Sequence, residues 1–316
     1  MRILIVCSSN SGNIAPFITE QVDSLKSLGV EVDYFLVDQK GVFGYLSKRK
    51  DLLRKIKDYQ PDIIHAHYGL SGLLANLQRQ VPVITTYHGS DINNPKVFPF
   101  SRLCIMLSAY NIFVSEKSKK ISRQIHKQSV IPCGVDTRLF TPIDKIQARK
   151  ELKLNINIQY VLFAGAFNNK VKNPELAQKA VALLSNVELL ELKNYSRQQV
   201  ALLMNAVDAV LMTSFSEGSP QFIKEAMSCN CPIVSVPVGD VPEMISNIPG
   251  GFISTYNSID IAKKLKQALA FAKRTEGRNR LIELNLDTAS VAKRILEVYN
   301  SRLPLLSQTS SRLFRK

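Results

Sequence analysis

Two carboxylates eight positions apart, Glu217 and Glu225, bracket the segment with the clearest chemical content. Between them Gly218, Ser219 and Pro220 read as a helix start. Ser219 can cap it, and Pro220 suits its first turn. A helix start leaves backbone N–H groups unpaired and carries partial positive charge, which suits a phosphate. Glu225, one turn deeper, can accept hydrogen bonds from a ribose diol. Glu217, on the loop, can reach a sugar beyond the phosphates. One short segment could thus grip a nucleotide sugar at three points. Gly239–Glu243 reads as a strand end turning into a short helix, a second set of outward N–H groups.

Histidines mark a second region. His65 and His67 alternate at a strand end and point to one face. Such a pair can begin a metal site, but no third ligand stands at suitable spacing, so no metal is expected. His88 ends another strand and precedes Gly89. Asp91 reads as the N-cap of a short helix or as a group polarising an acceptor hydroxyl. The first loop, Ser8–Asn13, is not G-x-G-x-x-G, so a nicotinamide site is unsupported and no cofactor is expected.

The elements that must position these groups follow from periodicity. Short apolar runs predict strands at Ile3–Val6, Val30–Phe35, Asp62–His65, Val83–Tyr87, Ile112–Val114 and Ser129–Ile131. Amphipathic stretches between them predict helices at Ala15–Leu28, Leu46–Asp58, Leu70–Gln78, Phe98–Ala109 and Lys117–Ile125. The alternation restarts with strands at Tyr160–Ala164, Val187–Leu190, Ala209–Thr213, Pro232–Val236 and Gly251–Ser254. Helices Pro174–Leu184, Ser196–Asn205 and Pro220–Cys229 separate them, and Ile259–Lys273 and Asp287–Arg302 close the chain. This pattern implies an α/β fold of two doubly wound, Rossmann-like domains, 1–142 and 143–286. Residues 287–316 form a last helix and a basic tail, with a return of the helix to the first domain left open. Ligands of open parallel sheets lie beyond the carboxyl ends of strands, so a cleft between two such sheets is the expected site.

The 316 residues suffice for two cores, and a formal charge of +15 with a pI near 9.6 favours anionic partners. Basic residues concentrate late, from Lys263 to Arg280 and in the tail. They read either as solvated helix faces or as docking on an anionic inner-membrane surface. Nucleic acid is not expected, because no aromatic-basic interleaving accompanies the charge. Cys7, Cys104, Cys133, Cys229 and Cys231 form no C-x-x-C pair and read as buried thiols of a cytoplasmic protein. No apolar run is long enough to span a membrane. The opening MRILIVCSS reads as a buried strand rather than a signal peptide.

With these residues in place, the chain resembles the retaining glycosyltransferases of family 4, which have the GT-B fold. Glu217 and Glu225 match that family's E-x7-E pattern, and Asp208–Ser214 leads into it similarly. Ile131–Asp136 with Phe140 and Pro142 resembles the family's interdomain loop. Asp62–His67 and Tyr87–Asp91 resemble its N-domain signatures. The resemblance spans the chain to about residue 245. It implies transfer of a sugar, with retention and without metal, from a nucleoside diphosphate sugar (UDP being commonest) to an acceptor hydroxyl. A lipid-linked glycan or another surface-polysaccharide precursor is the implied acceptor.

The resemblance also implies roles. Glu217, Lys172 and His88 would be catalytic, with His88 facing the acceptor side. Glu225, Gly218, Ser219, Pro220, Gln221 and Gly165 would serve the donor. Gly12, Asn13 and Asp91 would lie on the acceptor side. The family places an Arg after the glycine at the first strand end of the second domain, where this chain has Ala166 after Gly165. Lys172 matches the family's Lys, and Lys170 is the candidate to replace the Arg, although lysine lacks arginine's planar fork. A nucleotide-sugar epimerase and a non-catalytic nucleotide-sugar-binding partner are the competing readings.

Overall fold

The structure, a computed structural model, describes residues 1–10, 12–271 and 273–303. The basic tail from residue 304 lies outside the described residues. The chain divides into two compact units, Met1–Ile131 with Val291–Lys316, and Pro132–Ser290.

The first unit holds a six-stranded parallel sheet. Its strands are β1 (Arg2–Ser8), β2 (Glu31–Val37), β3 (Ile63–His67), β4 (Val83–Tyr87), β5 (Tyr110–Phe113) and β6 (Gln128–Val130). Their order across the sheet is β2-β1-β3-β4-β5-β6. β1 is buried on both faces, as the centre of a doubly covered sheet requires. Ile3, Ile5 and Cys7 face one apolar cluster, and Leu4 and Val6 the other. The helix Thr288–Asn300 completes the first of these clusters with Val291, Ala292, Ile295, Val298 and Tyr299.

The second unit holds five parallel strands, β7 (Gln159–Phe163), β8 (Val187–Glu191), β9 (Ala209–Met212), β10 (Ile233–Ser235) and β11 (Gly251–Ile253). Their order is β11-β10-β9-β7-β8. The chain leaves β7 outward to β8 and returns on the other side to β9. The strand order therefore reverses between β7 and β9, the position where ligands of such sheets bind. Both units are Rossmann-like.

Each expected strand is present, with ends shifted by a residue or two. The helices differ more. Leu46–Asp58 is two helices, Gly41–Ser47 and Arg49–Tyr59, broken at Lys48. The Ser47 hydroxyl bonds back to the Gly44 carbonyl at 2.8 Å, which competes with the helical ladder. Just past the expected domain boundary at residue 142 lies an unexpected helix, Lys145–Glu151, capped by the Asp144 carboxylate on the Gln147 N–H at 2.8 Å. Gly277–Glu283 is a further unexpected helix. Residues 132–142, assigned to the first domain from sequence, group with the second unit. Val135 bridges Asp287 in parallel, and a Cβ on Gly134 would stand 2.7 Å from the Thr288 Cα. The same contacts keep residues 287–290, which include the first turn of the last helix, in the second unit, while that helix from Val291 onward joins the first.

Candidate functional site

The reversal point of the second sheet assembles the expected donor-side residues. After β7 the chain passes Gly165 and folds into a 3₁₀ turn, Lys170–Lys172. This turn is stitched to the loop after β9. The Thr213 hydroxyl reaches the carbonyls of Lys172 and Asn173 at 2.9 and 2.8 Å, and the Phe215 N–H donates to the Val171 carbonyl at 2.9 Å. Lys172 and Glu217 then meet, Nζ to Oε1, at 2.6 Å, both largely shielded from solvent. A Cβ on Gly165 would stand 3.0 Å from the Lys172 Cγ, so the glycine leaves room for the lysine stem. Lys170 occupies the same turn but is exposed.

The helix after Glu217 is Gln221–Ser228. Ser219 does not cap it. Pro220 is the N-cap residue, no side chain caps the first amides, and the Ser219 hydroxyl is buried without a hydrogen-bond partner among the described residues. The loop from β10 crosses here, where Gly239 adopts φ +62° and packs on the Gly218 carbonyl. The helix predicted there is Val241–Ile245. Burial raises the Asp240 carboxyl, while the Lys224 cation draws it back.

Glu225 is buried and accepts from Arg197 Nη1 at 2.7 Å. Arg197 opens the helix Arg197–Ala206, which begins with a Ser196–Gln199 capping box. Its guanidinium stacks over Phe140, 4.6 Å from the ring centre. Sequence reading did not single out Arg197. Its place just after β8, at the same end of the sheet as Lys172 and Glu217, was the available signal.

Gln221 has a structural contact as well. Its amide donates to the Gly134 carbonyl at 2.8 Å, and beside it Lys224, fully buried, donates to the Cys133 carbonyl at 2.5 Å. Burial pushes the Lys224 ammonium below its usual range. Ser228 reaches the Phe140 carbonyl at 2.5 Å. One face of this helix thus fastens the 133–140 segment. Ser214 Oγ and Gln221 Oε1 are buried without a hydrogen-bond partner among the described residues, so polar capacity remains open near the helix start.

In the first unit a cavity of about 440 Å³ opens beyond β1, β3 and β4, lined by Ser8, Asn13, Tyr45, Tyr68 and Asp91 among others. Gly12, at φ +92°, turns the first loop, and its N–H donates to the Ser9 carbonyl at 2.8 Å. Asp91 is not an N-cap. Gly89 holds that position, and the buried Asp91 carboxylate accepts N–H groups of Gly69, His88 and Gly89, each at 3.0 Å. It braces the loops after β3 and β4 to each other. Burial raises it to about 6 despite these donors.

The three histidines form a row. His65 and His67 stack at 4.5 Å between ring centres, and His67 and His88 at 5.3 Å. His67 Nδ1 lies 3.0 Å from His88 Nε2. His65 is held between the Tyr299 hydroxyl at 2.6 Å and Thr86 Oγ1 at 2.7 Å. Burial lowers His65 to about 3 and His67 well below the usual range. Phe17 and Tyr68 pack on the outer ring, His88. Among the described residues no group of three His, Cys, Asp or Glu side chains could hold a metal ion. All five cysteines are buried and unbridged.

Two family profiles match the chain. The one described as Glycosyltransferase Family 4 covers residues 11–139, and the one described as Glycosyl transferases group 1 covers residues 146–285. A D-inositol 3-phosphate glycosyltransferase of Mycobacterium marinum is 26% identical over 250 residues, 63% of this chain and 53% of that protein. The chain thus spans little more than half the length of this relative. Sucrose-phosphate synthase of Thermosynechococcus elongatus superposes with a TM-score of 0.81 at 16% identity, covering 95% of this chain and 98% of its own. Anabaena HepE, solved with UDP, gives 0.74 at 17% identity, covering 95% and 100%. The two profiles account for most of the chain in the order that its two Rossmann-like units require, and the protein belongs to glycosyltransferase family 4.

Proposed function

We propose that the protein transfers a sugar from a nucleoside diphosphate sugar to an acceptor hydroxyl, with retention at the anomeric carbon and without a metal ion. One observation carries the reading: Lys172 and Glu217 meet at 2.6 Å where the strand order reverses, beside the start of the helix Gln221–Ser228. A leaving diphosphate gains negative charge as the glycosidic bond breaks. The Lys172 ammonium and the open amides of that helix would receive it. Bound diphosphate would compete with Glu217 for the lysine and free that carboxylate to bind a sugar hydroxyl and stabilise an oxocarbenium-like centre. Glu225, oriented by Arg197, would hold the ribose. His88 and the cavity of the first unit are assigned to the acceptor. The UDP complex of HepE supports uridine as the base. The M. marinum relative supports a hydroxylated acceptor, and a glycan or glycolipid precursor is the class we assign.

Lys172→Ala should lower turnover about 10²–10³-fold with unchanged folding. Glu225→Ala should chiefly weaken UDP binding in a calorimetric titration. Wild-type turnover in the first variant or wild-type UDP affinity in the second would remove that residue from its role. Retention is read from the product anomer by NMR, and metal independence from full activity in excess EDTA. The Ala166 position favours one other reading, a donor-binding protein without transferase activity. Tight UDP-sugar binding with no transfer to any acceptor tested would establish it. Conversion of the donor without an acceptor would instead indicate an epimerase.

A further inference from the structure

The helix Phe98–Leu107 and the segment from Glu116 to Lys127 enclose a groove of about 760 Å³ in the first unit. Its apolar lining is Phe98, Ile105, Met106 and Ile121, and its charged lining is Arg102, Lys120 and Arg123, with no carboxylate. The apolar side chains do not stay inside. Met106 is 72% exposed, and Ile125, next to the groove, is 80% exposed, with Leu103 beside them at 46%. Residues 98–127 carry six Lys or Arg and a single acid, Glu116, which is paired with Lys119 at 3.5 Å. Arg102, Lys120 and Arg123 have no carboxylate partner among the described residues.

Protruding apolar side chains ringed by unpaired cations suit one environment above others. A nucleic acid would take the cations but leave Met106 and Ile125 in water. An apolar protein surface would bury those two but strand the cations. A bilayer with anionic headgroups satisfies both at once, because apolar side chains enter the acyl boundary while cations pair at the phosphate level. We infer that this face, centred on Met106 and Ile125, docks the protein on an anionic lipid bilayer. The assignment does not depend on the proposed transferase chemistry, since docking requires neither donor nor acceptor. It places the contact in the first unit, whereas the late basic cluster between Lys263 and Arg280 belongs to the second.

Flotation with phosphatidylcholine vesicles, with and without 30 mol% phosphatidylglycerol, tests it. The full chain should float with the anionic vesicles at physiological salt and remain behind with the neutral ones. Met106→Asp with Ile125→Asp should weaken that binding at least tenfold, and Arg102→Glu with Lys120→Glu by a similar factor. Both double variants should keep wild-type thermal stability and UDP affinity, because the altered side chains are exposed or line an open groove. A chain ending at Leu303 should float like the full chain. The inference is overturned by absence of binding to anionic vesicles, by equal binding of the Met106/Ile125 variant, or by loss of binding on removing the tail. It is also overturned if the aspartate variant abolishes a wild-type dimer in sedimentation while vesicle binding is absent.

Discussion

A buried imidazole is a commitment about protonation, and this protein makes two of them side by side. His65 is held to about 3 and His67 lies well below its ordinary 6.5, in both cases mainly through burial. The unfolded chain protonates both near 6.5, so below that value, and for His65 down to about 3, it binds more protons than the folded protein. Stability should therefore fall as pH falls through this window, by about 1.4 kcal/mol per pH unit for each histidine. Asp91 acts in the opposite sense. Its folded value of about 6 exceeds the ordinary 3.8, so the folded protein takes up that proton first and offsets part of the loss over this narrower range. Urea unfolding at a series of pH values should show a net decline below pH 6.5, and His65→Asn should make it shallower. A flat wild-type profile would mean that these rings are not buried neutral. Arg197 illustrates the same logic in an ion pair. Arg197→Ala would leave the Glu225 carboxylate buried without its cation, a loss of about 3–5 kcal/mol in stability. Arg197→Lys should restore only part of it. Chemical denaturation of the two variants measures the difference.

Elements, more than single side chains, decide where the chemistry sits. The loop from β10 approaches Gly218 so closely that a Cβ at Gly239 would lie 2.6 Å from the Gly218 carbonyl oxygen and 3.4 Å from the Glu217 Cβ. Gly239 also sits at φ +62°, where an L side chain is strained. Gly239→Ala should destabilise the second unit by roughly 1–3 kcal/mol and displace the Glu217 loop, with weaker UDP binding as the calorimetric readout. Much of this architecture was legible in the residues. Strands such as Tyr160–Ala164 show as short apolar runs because a doubly covered parallel sheet buries both faces of each strand. Ser196 announced its helix because capping is a local event. What stayed hidden was non-local. No spacing rule links Arg197 to Glu225, or Lys224 to the Cys133 carbonyl across 91 positions. Ser219 looked like a cap because its residue type suits one, but the N-cap position falls on Pro220, beside the loop from another strand. The helix Lys145–Glu151 was obscured because its buried residues are Ala148 and Arg149, which leaves little apolar periodicity to read.

At the scale of the whole molecule, the first unit is built from both ends of the chain. Val291, Ile295, Val298 and Tyr299 are buried against Ile3, Ile5 and Ile18, and the Tyr299 hydroxyl bonds His65 across 234 positions. Burying four such side chains contributes about 1.5–3 kcal/mol each, a sum comparable to a typical domain's entire stability of about 5–15 kcal/mol. A chain ending at Ser290 should leave the first unit loosely packed while the second retains its cooperative unfolding. Dye binding to exposed apolar surface, together with hydrogen exchange resolved by unit, would reveal the split. Native protection throughout β1 and β3 in that shortened chain would show the last helix to be dispensable. The same topology sets an order of events on the ribosome. Synthesis proceeds from the amino end, yet the amino-terminal sheet must wait for the final helix, so the second unit can mature before the first. Until that helix emerges, the nascent chain carries an uncovered isoleucine-rich surface, a natural client for a chaperone.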